Sequence, residues 1–211
     1  MRYIPIIFFI FLFSFTVISC AKKSDSSSSS SANGSQGTYQ LATNDYANGV
    51  ATDSSGNVYV TGVTYGGLDG NTSAGNSDLF VVKYNSSGTK QWTKQLGSSS
   101  RDRSSNRDHA RGVVTDSSGN VYVTGDTYGG LDNNTNAGSN DLFVVKYNSS
   151  GTKEWTKQMG SSSRDYDYGV ATDSSRNVYV SGDTYGGLDN NTNAGSNDLL
   201  VVKYNSDGVK Q

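Results

Sequence analysis

The chain has 211 residues and a net charge of −2, a balance that lacks the basic footprint of a nucleic-acid-binding protein. Its hydrophobic fraction is only 33%, and it is rich in Gly, Ser, Asn, Thr and Tyr, a palette that suits short strands and polar turns and excludes a helical bundle. A single Cys excludes an intramolecular disulfide, so any fold must rest on core burial and backbone pairing.

The first segment reads as an address. Arg2 carries the one early positive charge, and Ile4 to Phe15 is apolar except for Pro5 and Ser14. That run has the length of a signal peptide and is shorter than a membrane span. The following Val17-Ile18-Ser19-Cys20 resembles a bacterial lipobox. The resemblance implies a signal peptide over 1–19, cleavage before Cys20, and acylation of its thiol with palmitate-type chains. It places the protein in the cell envelope, membrane-held and expected at the outer membrane. Residues 20–37, with an unbroken Ser run from Ser26 to Ser31, cannot bury a core and read as a flexible tether.

Residues 38–211 repeat. Gly49-Val-Ala-Thr-Asp53 returns at Gly112 to Asp116 and at Gly169 to Asp173, and Val58-Tyr-Val60 returns at Val121 and Val178. The offsets are 63 and then 57 residues, the difference falling in the linker between Ser98 and Arg111. Each unit predicts four short strands, first seen over 49–52, 57–64, 79–85 and 89–96. Asp53-Ser-Ser-Gly56 supplies a turn, because its carboxylate can accept turn N–H groups and Gly tolerates positive φ. Alternating Val58, Tyr59 and Val60 predict a strand with two different faces, whereas Leu79-Phe80-Val81-Val82 predicts one buried on both. Two hairpins per repeat fit a propeller blade. The expected fold is all-β: three four-stranded antiparallel blades at about 47–97, 110–160 and 167–211.

Asp53-Ser-Ser-Gly-Asn-Val-Tyr-Val-Thr-Gly62, with Asp78-Leu-Phe-Val-Val-Lys-Tyr-Asn-Ser-Ser-Gly88 and Trp92, resembles the SBBP family of bacterial β-propeller repeats. The hairpin from Asn85 to Trp92 is also similar to the tryptophan-docking hairpin of quinoprotein propellers, with Asn where Asp is usual. The resemblance implies a fold and no activity, and no quinoprotein cofactor ligand has a counterpart here.

Thr38-Tyr-Gln-Leu41 aligns with Thr93-Lys-Gln-Leu96, so residues 38–42 are expected to form part of an outer strand. The third repeat stops one residue before its expected Trp. Three readings follow: a shortened relative or gene remnant of a longer propeller, a ring completed by self-association, or three blades as an open fan or small ring.

Candidate chemistry lies in the long loops. Asp132-x-Asn134-x-Asn136, with Asp141 later, has the oxygen spacing of a calcium loop. Its counterparts are Asp69, Asn71 and Asp78 in the first repeat, and Asp189, Asn191, Asn193 and Asp198 in the third. Against calcium, Ala137 replaces the EF-hand Gly and no Glu closes the loop; an Asx-rich turn satisfying its own backbone is the other reading. Arg101 to Arg111, which holds the only His, His109, reads either as an anionic contact patch or as a solvated inter-blade loop of mixed charge. Tyr65, Tyr128 and Tyr185 precede Gly-Gly in the loops and are expected either to rim a glycan or protein site or to pack between blades. Catalytic sets are incomplete: Glu154 is the only Glu, and a Ser-His-Asp relay would depend on His109. The expected function is a lipid-anchored, non-enzymatic binding or scaffold module without a cofactor, with a carbohydrate-active enzyme as the rival.

Overall fold

The computed structural model describes residues 44–98 and 107–211. The expected signal peptide over 1–19, Cys20, the expected tether, residues 38–42 and the insert residues Arg101, Asp102 and Arg103 lie outside them. No helix among the described residues is long and apolar enough to cross a membrane.

Eleven strands are formed. Blade 1 contains β1 (Asp45–Thr52), β2 (Val58–Thr64), β3 (Asp78–Tyr84) and β4 (Lys90–Leu96). Blade 2 contains β5 (Asp108–Thr115), β6 (Val121–Thr127), β7 (Asp141–Tyr147) and β8 (Lys153–Met159). Blade 3 contains β9 (Asp165–Thr172), β10 (Val178–Thr184) and β11 (Asp198–Tyr204). Each sheet is an antiparallel meander in sequence order. In blade 3 the place of a fourth strand holds a single bridge, Tyr204 to Lys210. The fold is therefore all-β, with sheets of four, four and three strands.

The predicted turn chemistry explains the first hairpin. Asp53 Oδ1 accepts the N–H groups of Ser55 at 2.9 Å and Asn57 at 3.0 Å. Its Oδ2 accepts the Asn57 amide at 2.7 Å and the Tyr59 hydroxyl at 2.9 Å. Asp116 and Asp173 repeat this set with Asn120, Tyr122, Asn177 and Tyr179.

Blades stack through their faces. Tyr59, Leu79 and Val81 of blade 1 meet Val121, Val123, Phe143 and Val145 of blade 2 in one buried cluster. Tyr122, Leu142 and Val144 meet Val178, Val180, Leu200 and Val202 in the equivalent cluster between blades 2 and 3. Trp92 sits between Tyr59 and Tyr147, with ring centroids 6.0 and 6.4 Å away, and Trp155 sits likewise between Tyr122 and Tyr204. Trp92 lies under the Gly151 turn of the next blade and Trp155 under the Gly208 turn. Strands β1, β5 and β9 lie side by side as the innermost strand of each blade. On the far face of blade 3, Leu199 and Val201 remain 79% and 61% exposed, so the described blades form an open fan.

One expectation is corrected. The segment ending at Arg111 is not a loop throughout, because Asp108, His109, Ala110 and Arg111 form the first half of β5. First strands start four residues earlier than the apolar pattern indicates. Asp45, Asp108 and Asp165 open them, and the latter two carboxylates are fully buried. Asp108 accepts the Ser98 N–H at 2.6 Å, the Ser98 hydroxyl, and the hydroxyl of Thr127. Burial nevertheless pushes its carboxyl above the ordinary range.

Candidate functional site

The long loops fold back onto their own blades. Asp69 accepts Lys90 Nζ at 2.6 Å and the Thr93 hydroxyl, Asp132 pairs with Lys153, and Asp189 pairs with Lys210. Burial pushes the Asp69 and Asp132 carboxyls up, but the lysine and threonine donors outweigh it and hold both below the usual range. Asn71, Asn134 and Asn191 each donate from Nδ2 to a nearby Leu carbonyl, at 2.7, 2.8 and 3.0 Å. Asn136 and Asn193 accept the N–H of Gly138 and Gly195. Asp78, Asp141 and Asp198 accept the N–H of Ala74, Ala137 and Ala194 at 2.9, 2.8 and 2.7 Å.

Gln95 secures the first of these loops, donating to Gly66 and Asp78 while accepting from Leu68, and Gln158 does the same in blade 2. The Asp69, Asp132, Asp189, Asn136 and Asn193 oxygens are thus engaged by backbone donors, lysines or threonines, whereas Asp78 Oδ1 and Asp141 Oδ1 are buried without a hydrogen-bond partner. Among the described residues, no group of three His, Cys, Asp or Glu side chains stands where it could hold a metal ion.

A different place emerges at the beginning of the inner strands. Each carries a β-bulge: the register skips Asn48 between Ala47 and Gly49, Arg111 between Ala110 and Gly112, and Tyr168 between Asp167 and Gly169. The opposite strand permits the kink through a glycine. A Cβ on Gly62, Gly125 or Gly182 would lie 1.9 Å from the carbonyl oxygen of Tyr46, His109 or Tyr166. A bulged residue is freed from the ladder and can aim its side chain out of the sheet. Asn48, Arg111 and Tyr168 are all exposed.

Set against one another, the three repeats are near-identical, and this bulge is the one aligned position at which all three differ. Neighbouring differences cluster around it: Tyr46, His109 and Tyr166; Ala47, Ala110 and Asp167; Val63, Asp126 and Asp183. The same slot between inner strands is consequently rewritten from blade to blade. Between blades 1 and 2 it holds Val63 and Ala110, and Asn48 Nδ2 donates to the Ala110 carbonyl at 2.8 Å. Between blades 2 and 3 it is ionic. Arg111 forms a two-nitrogen salt bridge with Asp126, and Asp167 accepts the Thr124 hydroxyl at 2.9 Å. Burial, with Asp126 adding repulsion, pushes the Asp167 carboxyl up to about 7 against the lowering influence of Thr124 and Arg111. Burial also holds the His109 imidazole below its ordinary value, assisted by Arg111 and Arg107 and opposed by Asp126.

Aromatic rings border this arc. Tyr46 and Tyr65 meet edge to face at 6.0 Å, as do Tyr166 and Tyr185 at 6.1 Å. Tyr46, Tyr65, Tyr168 and Tyr185 are 60, 52, 65 and 44% exposed. Of the loop tyrosines singled out by the sequence, Tyr65 and Tyr185 are rim residues and Tyr128 is half-buried. Asn48 and Tyr168 were missed because no motif marks them, and Arg111 was noted only as the end of the charged insert; the signal that unites the three is their divergence among otherwise uniform repeats.

A β-propeller repeat model of the SBBP type matches residues 40–69, 91–132 and 154–189, just over half of the chain. No curated protein matches the chain. The match falls on the repeats that build the three stacked sheets, and the chain belongs to the SBBP β-propeller repeat family.

Proposed function

We propose that this protein is a lipid-anchored, non-enzymatic binding or scaffold module of the bacterial cell envelope. In this reading acylated Cys20 holds it to a membrane, expected to be the outer membrane, and the bulge arc meets a glycan or protein ligand. The carrying observation is the exposed bulge position, whose residue differs in every blade while the supporting turns and strands hardly change. Binding surfaces diverge where a scaffold need not stay constant, and aromatic and arginine side chains supply most of their energy.

The enzyme reading draws on the neighbouring carboxylates of Asp126 and Asp167. Both are buried, Asp126 beneath Arg111 and Asp167 against Thr124, which supports the binding reading over it.

The test uses the full chain with Asn48→Ala, Arg111→Ala and Tyr168→Ala combined. Co-sedimentation with envelope fragments of the native cell should fall about tenfold with the β-sheet signal retained, although loss of the Arg111 partner of buried Asp126 lowers Tm. Equal retention by the variant would remove the binding reading. Anchoring is tested separately: Cys20→Ala should abolish palmitate labelling and release the protein from membranes, and persistent labelling would refute it.

A further inference from the structure

We propose that the blade 2–blade 3 end of the arc binds an acidic oligosaccharide, a pyranose chain carrying carboxylates. This rests on the binding-module reading above and names its ligand class. Arg107 and Arg164 occupy equivalent positions at the mouths of β5 and β9, and both are exposed. Neither is in an ion pair with a carboxylate among the described residues. Their carbonyls accept the N–H groups of the loop tyrosines Tyr128 and Tyr185, which ties each arginine to the head of a long loop. Arg111, also acting on Tyr168, stands with its charge answered by Asp126. This end of two inner strands thus presents two exposed guanidinium groups without a carboxylate ion pair among the described residues, beside Asp183, whose carboxylate accepts the Asn197 amide.

Aromatic plates flank that charge. Tyr168 is the most exposed of the rim tyrosines, and the Tyr166–Tyr185 pair stands on the same blade. The negative face of a tyrosine ring attracts the electropositive C–H face of a pyranose, and its hydroxyl can bond a sugar hydroxyl. Guanidinium groups pair with carboxylates through two parallel N–H donors. The tyrosine at the head of the long loop recurs in each of the three blades, and such a row matches a ligand that is itself a repeating polymer. A folded protein partner would present a less regular surface.

The experiment measures binding of the full detergent-solubilised chain to two defined probes, oligogalacturonate and the uncharged cello-oligosaccharide of equal length. The acidic probe should bind more tightly, and its affinity should fall as ionic strength rises. Arg164→Ala and Tyr168→Ala should each weaken it about tenfold without moving Tm, and Tyr168→Phe should retain the stacking contribution. Preference for the uncharged probe, or insensitivity to Arg164→Ala, would overturn the assignment. Arc-dependent retention of an envelope protein with no affinity for either saccharide would also overturn it, while leaving the binding-module reading in place. Envelope binding indifferent to all three bulge substitutions would end both.

Discussion

At the scale of single residues, Asp167 is the most consequential departure from the repeat. The other two blades carry Ala47 and Ala110 at its position, so the fold does not require a carboxyl there. Its raised value, about 7 against an ordinary 3.8, means that the folded chain holds a proton that the unfolded chain has lost between those limits. Stability from this group is therefore full below the lower limit and declines as pH rises through the upper one, by on the order of 4 kcal/mol in all. Asp167→Asn keeps an acceptor for Thr124 and removes the titration. Its Tm should match that of the parent below the lower limit, exceed it progressively as pH rises, and exceed it by a constant margin above the upper limit; parallel curves would sink the assignment.

Asp116 is the opposite case. It accepts the N–H groups of Ser118 and Asn120, the Asn120 amide and the Tyr122 hydroxyl. Asp116→Ala should cost about 1–3 kcal/mol in chemical denaturation by leaving these donors unmatched, and a cost near zero would deny the turn its structural weight.

At the scale of elements, the blade interfaces depend on close approach between a turn and an indole. A Cβ at Gly151, where φ is 80°, would stand 2.9 Å from the Trp92 ring. Gly151→Ala should therefore destabilise the chain by about 1–3 kcal/mol, whereas Gly66→Ala, with open space around its Cβ position, should be tolerated. Equal effects of the two would show that the turn does not bear on Trp92.

Much of this level was readable beforehand, because it is written in local chemistry. Asp53 to Tyr59 encodes its own turn, and Leu79 to Val82 encodes a strand covered on both faces. The start of the first strand was not readable. Asp45 to Asn48 is polar, its pairing with β2 is interrupted by the bulge, and burial of Asp108 depends on Ser98 and Thr127 from distant segments. Within the loops the Asx side chains bond their own backbone, as at Asn136 with Gly138 and Asp141 with Ala137. The arc could not be read from any one repeat, since its meaning lies in the contrast between Asn48, Arg111 and Tyr168 and in the contact of neighbouring blades.

At the scale of the whole molecule, blade stacking supplies what a single four-stranded sheet cannot. Each buried cluster is shared by two blades, as expected of a linear array in which neighbours stabilise one another. The face of blade 3 bearing Leu199 and Val201 has the position that Leu79 and Val81 occupy in blade 1, where the next blade covers them. Apolar faces of this kind promote association. The full chain should accordingly self-associate as its concentration rises in sedimentation velocity. Leu199→Asp with Val201→Lys should shift it toward the monomer without loss of β-sheet signal. A parent that stays monomeric at every concentration would refute this.

The bulge has one more consequence. Because Asn48, Arg111 and Tyr168 stand outside the ladder register, their identity is uncoupled from the ladder hydrogen bonds that make a blade. Duplication can copy the blade whole, and drift can then re-letter this position together with its facing partner, as Arg111 is matched by Asp126 where blade 1 has Asn48 and Val63. Each new copy becomes an independent trial of recognition carried on inherited architecture, and an engineer could rewrite the array one letter per blade.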